Sequence, residues 1–327
     1  MRTLYNGLIL GAWAACVLAA LVAFGGVVAD FALPFYLAAA ALAVVWALKL
    51  FTVRGQTMPW TPLHVPVLAL FLYVALRAFT APLRHDAQWE LLRAGVYTLI
   101  YFAAAFNFHR SRYRAVVLTV LVVAAVLESL YGYWQYATRT DKVFLFPRDE
   151  QYRGRASGTY ICPNHLAGWL EVLALVVLAQ LLVNRRPLAS LEHSVIVKFL
   201  EVTALGAILV GLVSTGSRGG WFALAIGATV LWLWAWQTQL IPPRVADAMM
   251  VLLVLAFAGM LAIPAVRERV WEVLSVNFGY AFEYGVVRLT DPGLAGRAAM
   301  TAACWQMFCE HPWVGVGPGA WRWFEAE

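Results

Sequence analysis

Long apolar runs separated by short polar gaps constrain this chain more than any other feature of its sequence. The runs lie near 7–29, 34–52, 64–82, 89–108, 113–135, 162–183, 198–214, 219–239 and 245–264. A helix needs about 20 mostly apolar residues to cross the hydrocarbon core of a bilayer. No water reaches that core to satisfy an exposed backbone, so only helices and closed barrels span it. The runs therefore predict an all-α, polytopic transmembrane bundle of about nine spans over residues 1–264. Composition agrees, with 62% hydrophobic and 13% charged residues, where soluble domains carry about 45–50% and about 25%. The first run, Leu8 to Val28, is too long for the apolar region of a signal peptide and has no clear small-residue cleavage site, so it reads as a retained helix.

The net charge of +6 does not point to nucleic acid, because the basic residues fall in the gaps between spans rather than on one polar face. Such charge speaks first to topology. With the N-terminus in the cytoplasm, the inner gaps hold Lys49 and Arg54; Arg110, Arg112 and Arg114; Arg185, Arg186 and Lys198; and Arg244. The short outer gaps hold only Arg84. Three outer regions depart from this pattern: residues 138–161, the turn Ser214–Gly220 with Arg218, and the segment 265–327. Long outer loops escape the positive-inside rule, but a tight turn does not, so Arg218 asks for a reason.

Beyond Pro264 the chain is no longer membranous. Asp291-Pro292 has the form of a helix start, and the helix is expected to run to about Glu310. His311-Pro312 and then Gly315, Gly317, Pro318 and Gly319 mark a turn-rich loop. An odd number of spans followed by half an outer domain predicts a chain cut short within that domain.

Three stretches carry most of the functional information. The first runs from Arg155-Ala156-Ser157-Gly158-Thr159-Tyr160 into Pro163-Asn164-His165-Leu166-Ala167-Gly168-Trp169-Leu170-Glu171. The second is Ser214-Thr215-Gly216-Ser217-Arg218-Gly219-Gly220, and the third joins Gly296-Arg297, Trp305 and His311–Gly319. Taken together and in order, they resemble the O-antigen ligase and polymerase superfamily of bacterial inner-membrane proteins, over roughly residues 60–327. The resemblance implies about twelve spans, with a large periplasmic loop after the ninth. Residues 265–327 would then be the N-terminal part of that loop. The family's later histidine-bearing segment, the implied source of the catalytic base, is expected beyond residue 327.

The resemblance implies transfer of a glycan from an undecaprenyl-diphosphate carrier to a glycan or lipid acceptor hydroxyl at the periplasmic face. O-antigen polymerase and protein O-oligosaccharyltransferase are the near alternatives. A lipid-linked oligosaccharide flippase is the distant one, and the lack of a convincing internal repeat counts against it. The leaving group would be a lipid diphosphate, which arginine binds with a planar two-pronged donor set. Fixed positive charge placed there stabilises the transition state without moving. Arg218 fits that role best, followed by Arg297 and Arg155, with Ser217, Asn164 and His165 as weaker candidates.

Plainer readings stand beside these. Arg218 can snorkel to lipid headgroups from a glycine turn, and Arg297 can pair with an acidic neighbour. Arg155 and Arg153 can be solvated loop charges, and Asn164 and His165 can cap the sixth span. His311 suits a helix C-terminus. Glu128 and Glu171 lie inside spans, where a functional role and an interhelical hydrogen bond are about equally expected. For Arg77 and Arg93, near outer span ends, snorkelling is the simplest account. Cys16, Cys162, Cys304 and Cys309 show no CxxC and no metal spacing. Cys304 and Cys309 stand about 140° apart on a straight helix and are poorly placed to bridge. With no P-loop, Rossmann fingerprint, Ser-His-Asp pattern or D-x-D motif in the sequence, metal-independent chemistry without a cofactor is expected.

Overall fold

The computed structural model describes residues 1–26, 31–56, 58–183, 191–240 and 292–320, together with isolated positions between 244 and 259. It is all-α. Among the described residues, eight helices occupy the expected runs: α1 (Arg2–Val22), α2 (Leu33–Thr52), α3 (His64–Thr80), α4 (Arg84–Asn107), α5 (Ser111–Thr138), α6 (Pro163–Val183), α7 (Leu191–Ser214) and α8 (Arg218–Gln237). Six of these, α1, α2 and α5–α8, are long and apolar enough to cross a membrane, which makes this a multi-pass membrane protein. Helix α3 has 17 residues, and α4 has 24 with a more polar first half. The expected run at 245–264 lies mostly outside the described residues. A further helix, α9 (Pro292–Glu310), begins at the proline after Asp291.

The chain forms two compact units. The first comprises Met1–Gln56 and Asn107–Ala258. Here α1 packs on α2, and a short 3-10 turn at Phe24–Gly26 follows α1. Helix α5 packs on α7, and α6 packs on both α7 and α8. Their shared core holds Ala125, Leu166, Leu170, Val177, Ile208 and Leu212. In lipid there is no hydrophobic drive between helices, so close van der Waals fit must hold them together. Small side chains permit that fit where α5 meets α7, with Ser129 directly against Gly211. Large apolar side chains such as Leu127, Leu130, Val172, Phe222 and Val230 face outward, as a lipid-facing surface requires.

At the other end of this unit, Lys49 departs from its expected place in an inner gap. It sits buried in the last turn of α2, where its ammonium donates to the Asn107 side-chain oxygen. Gln56 donates to the Lys49 carbonyl at 2.8 Å.

The second unit comprises Thr57–Phe106 and Gly259–Glu327. Ala78, Ala81 and Ala87 pack where α3 turns into α4, and buried His64 lies among Tyr101, Phe102 and Phe106. The glycine-rich loop after α9 lies against the end of α3. Tyr73 Oη donates to the Val314 carbonyl at 3.1 Å, and Arg77 Nη2 donates to the Gly315 carbonyl at 3.1 Å. Snorkelling is therefore not the account of Arg77, which also donates to Thr80 Oγ1 at 2.7 Å. Arg93 likewise pairs with Glu90 at 2.8 Å.

Candidate functional site

The site in the first unit starts from α5. Glu128 and Gln135 are seven residues apart and so lie on one face of that helix, two turns from each other. The connection from α5 to α6 folds back along this face. Gln135 Nε2 donates to the carbonyls of Gly158 (2.9 Å) and Lys142 (3.2 Å), while its Oε1 accepts from the Ser157 N–H (3.1 Å). The Glu128 carboxylate accepts from the Thr159 N–H at 2.8 Å and from the Thr159 hydroxyl at 2.7 Å. Between these anchors Gly158 takes φ +59°, and any side chain there would run into the Glu128 carboxylate. The helix-to-loop pairing thus explains Glu128, and it requires glycine at 158.

Arg148 holds the rest of the connection. Its side chain is buried, with Nη1 donating to the Arg155 carbonyl (2.8 Å) and Ser157 Oγ (2.9 Å), and Nη2 to the Thr140 carbonyl (2.7 Å). Burial pushes its guanidinium below the usual arginine value, partly offset by nearby Asp141. Exposed Arg153 pairs with Asp141 at 2.9 Å. Tyr152 is pushed up to about 12, chiefly by its hydrogen bond with Cys162 and then by burial.

The connection then meets the α7–α8 turn. The Ala156 N–H donates to the Ser214 carbonyl at 2.9 Å. Arg155 Nε donates to the Thr215 carbonyl at 2.7 Å, and Nη2 to Asn164 Oδ1 at 3.2 Å. So Arg155 is no solvated loop charge: it clasps the turn to the start of α6. Ser217 caps α8, its hydroxyl accepting from the Gly220 N–H at 3.4 Å. Arg218 is the first residue of that helix and is half-buried. Gly220 lets α8 lie close on α6, because a Cβ there would sit 2.8 Å from Ala167 Cβ and 3.3 Å from the Glu171 carboxylate. Glu171 therefore stands beside the first turn of α8, where the helix dipole favours an anion.

Four of the six candidates from the sequence thus gather in one place: Arg155, Asn164, Ser217 and Arg218. The last is there by chain continuity, three residues from the carbonyl that Arg155 holds. His165 is exposed in the first turn of α6, and its N–H donates to the Cys162 carbonyl at 3.1 Å. Arg297 lies on α9 in the second unit, and its side chain is outside the described residues.

The sequence did not single out Gln135 or Arg148, and it offered Thr159 only as part of the first motif. A polar amide near the C-terminal end of a span, two turns from an intramembrane glutamate, was the available signal. Among the described residues, no group of three or more His, Cys, Asp or Glu is placed to hold a metal ion.

Residues 202–327 match the family model described as O-antigen ligase. The match takes in the Ser214–Gly220 turn and the Gly296–Gly319 element, and it bears out the resemblance drawn from the motifs. It supports membrane glycan transfer of the ligase or polymerase type. No curated protein and no solved structure matches the chain.

Proposed function

We propose that the chain transfers a glycan from an undecaprenyl-diphosphate carrier to an acceptor hydroxyl at the periplasmic face of the bacterial inner membrane, as an O-antigen ligase-type glycosyltransferase. The observation that carries this reading is the clasp of Arg155 on the Thr215 carbonyl, which gathers two arginine-bearing motifs at the start of α8. Around that start are a guanidinium at position 218, the positive end of a helix dipole and a glycine-flanked backbone. These suit the oxygens of a diphosphate.

In the reaction a base takes the proton of the acceptor hydroxyl. The hydroxyl oxygen attacks the anomeric carbon, and the bond from that carbon to the diphosphate oxygen breaks. Negative charge grows on the departing diphosphate, where fixed cations lower the barrier without reorganising. Arg218 takes the phosphate-binding role. Arg155 fixes the backbone on which Arg218 stands, and Ser217 shapes the helix start. Arg297 keeps its role as a diphosphate ligand from the motif resemblance alone. Asn164, through its bond to Arg155, belongs to the support of the site, and His165 is exposed on the same helix turn. No metal is required, because the arginines supply the positive charge.

The test is transfer in vitro, with the purified full chain, an undecaprenyl-diphosphate glycan and candidate acceptors. Arg218→Ala is expected to lose roughly 10²-fold or more in rate, as removal of one preorganised charge donor does elsewhere. Transfer at the unaltered rate by a folded Arg218→Ala protein would remove Arg218 from the mechanism.

A further inference from the structure

The connection from α5 to α6 contains a feature that the site does not use. Lys142–Val143 and Phe146–Pro147 pair as a two-stranded antiparallel hairpin, with Lys142 opposite Pro147 and Val143 opposite Phe146. Its tip is Phe144-Leu145. Leu145 is 87% exposed, and both flanking phenylalanines are also exposed. In a watery loop such a tip would be a costly apolar projection on an otherwise charged segment. The base of the hairpin is polar by contrast, with Lys142 exposed and the Arg153–Asp141 ion pair beside it.

Two independent markers fix the depth of the tip. The first is α5. The Phe144 N–H donates to Tyr131 Oη at 2.8 Å, and the two rings stack with centroids 5.8 Å apart. Tyr131 lies seven residues, roughly 10 Å, short of the end of α5 at Thr138. Helix α5 has 28 residues, about 42 Å of helix against about 30 Å of hydrocarbon, so it is longer than the core, and the tip is folded back from its C-terminal end along the helix.

The second marker is the α1–α2 turn. Phe146 meets Phe24 at 5.6 Å and Phe31 at 5.0 Å between centroids. Those two residues sit where α1 and α2, each about one bilayer long, reverse direction. Both markers put the tip at the membrane boundary. It is continuous there with the lipid-facing side of α5, where Leu127, Leu130 and Trp134 are exposed.

We propose that the hairpin is a membrane-inserted anchor: Phe144 and Leu145 enter the acyl-chain region of the leaflet adjoining the α1–α2 turn, with Lys142 left at the headgroups. A backbone turn is tolerated at that shallow depth because water and headgroups still reach it, and because the strand pair and the Tyr131 bond to the Phe144 N–H satisfy part of its backbone. Through Arg148, which follows the hairpin directly, the anchor holds the rest of the connection at the membrane surface. It does so whether or not the chain transfers glycans.

The test is depth, measured in the full chain reconstituted into phosphatidylethanolamine and phosphatidylglycerol vesicles. A nitroxide on Leu145→Cys, in a chain with its four native cysteines replaced by serine, is expected to collide more with oxygen than with a water-soluble nickel chelate. A nitroxide on Glu150→Cys is expected to show the reverse. Equal, chelate-dominated collision at both positions overturns the anchor. As a second measurement, a benzophenone amino acid at position 145 of the chain with all its native cysteines is expected to cross-link phospholipid on illumination. A folded protein that forms no lipid adduct from that position, while one at lipid-facing Leu130 does, overturns it equally.

Discussion

At the residue scale, the site rests on a few side chains that each bridge two segments. Glu128 serves two donors of Thr159 from within a span. Its replacement by alanine strands a buried N–H and a buried hydroxyl, at a cost of about 1–3 kcal/mol each if nothing takes its place. Bonds of this kind in membrane proteins are measured lower, at about 0.6 kcal/mol on average. Glu128→Ala is therefore expected to lower the thermal midpoint in detergent, and Glu128→Gln, which keeps an acceptor oxygen, to lower it less. Equal midpoints for all three proteins would deny the pairing any weight.

Two glycines of one motif should respond with opposite sign. Gly158 has positive φ and meets the Glu128 carboxylate, so Gly158→Ala must destabilise, by at least the roughly 1–2 kcal/mol of a left-handed residue. Gly168 lies inside α6 with open space around its Cβ position, and there Ala gains about 0.5–1 kcal/mol of helix preference. Thermal unfolding of the two variants side by side checks this; a rise for Gly158→Ala would contradict the loop geometry.

At the scale of elements, the helices were legible and the connection between α5 and α6 was not. A span declares itself because some twenty consecutive residues must all be apolar, a condition that chance rarely meets. The bounds of α2, α3, α5, α6 and α8 accordingly fall within a few residues of the runs. The connection declares itself only through distant partners. Gln135 reads as one polar residue in a span, and Arg148 as one of several loop charges. Their meaning lies in the groups they reach, 7 to 23 residues away for Gln135 and 7 to 9 for Arg148. For the same reason the motifs located Arg155 without revealing what it holds, because a clasp on Thr215 depends on packing across 60 residues.

The Arg148 fork gives the element-scale prediction. Its acceptors lie on both terminal nitrogens, which a single ammonium cannot imitate. Arg148→Lys is expected to behave like Arg148→Ala, with faster amide exchange and proteolysis across residues 139–162 and little change in the helices. Rescue by lysine would show that the charge matters there and the planar fork does not.

At the scale of the whole molecule, the distribution of basic residues predicts an orientation. On the proposed topology, Glu150 faces the periplasm and Arg112 the cytoplasm. In a cysteine-free chain, a membrane-impermeant thiol reagent added to intact cells is expected to label Glu150→Cys and to spare Arg112→Cys until the inner membrane is opened. The opposite pattern would invert the protein and move the arginine turn to the cytoplasmic side. The family resemblance rests on the order of the three motifs and on their place at the expected outer ends of spans, and the family match over residues 202–327 begins downstream of the first motif.

The bond from Arg155 to the Thr215 carbonyl, with that from Ala156 to Ser214, also bears on how such proteins can be recombined. These bonds, with those of Gln135 and Ser217, interlock the C-terminal end of α5, the loop to α6, the start of α6 and the α7–α8 turn into one block. A chimera whose crossover falls within α6 would take its loop from one parent and its arginine turn from the other, and the two halves would meet across hydrogen bonds that neither parent shaped for the other. On the proposed function, exchanges meant to swap donor or acceptor preference should place their joints in the first half of α5 and the second half of α8, and carry the block whole.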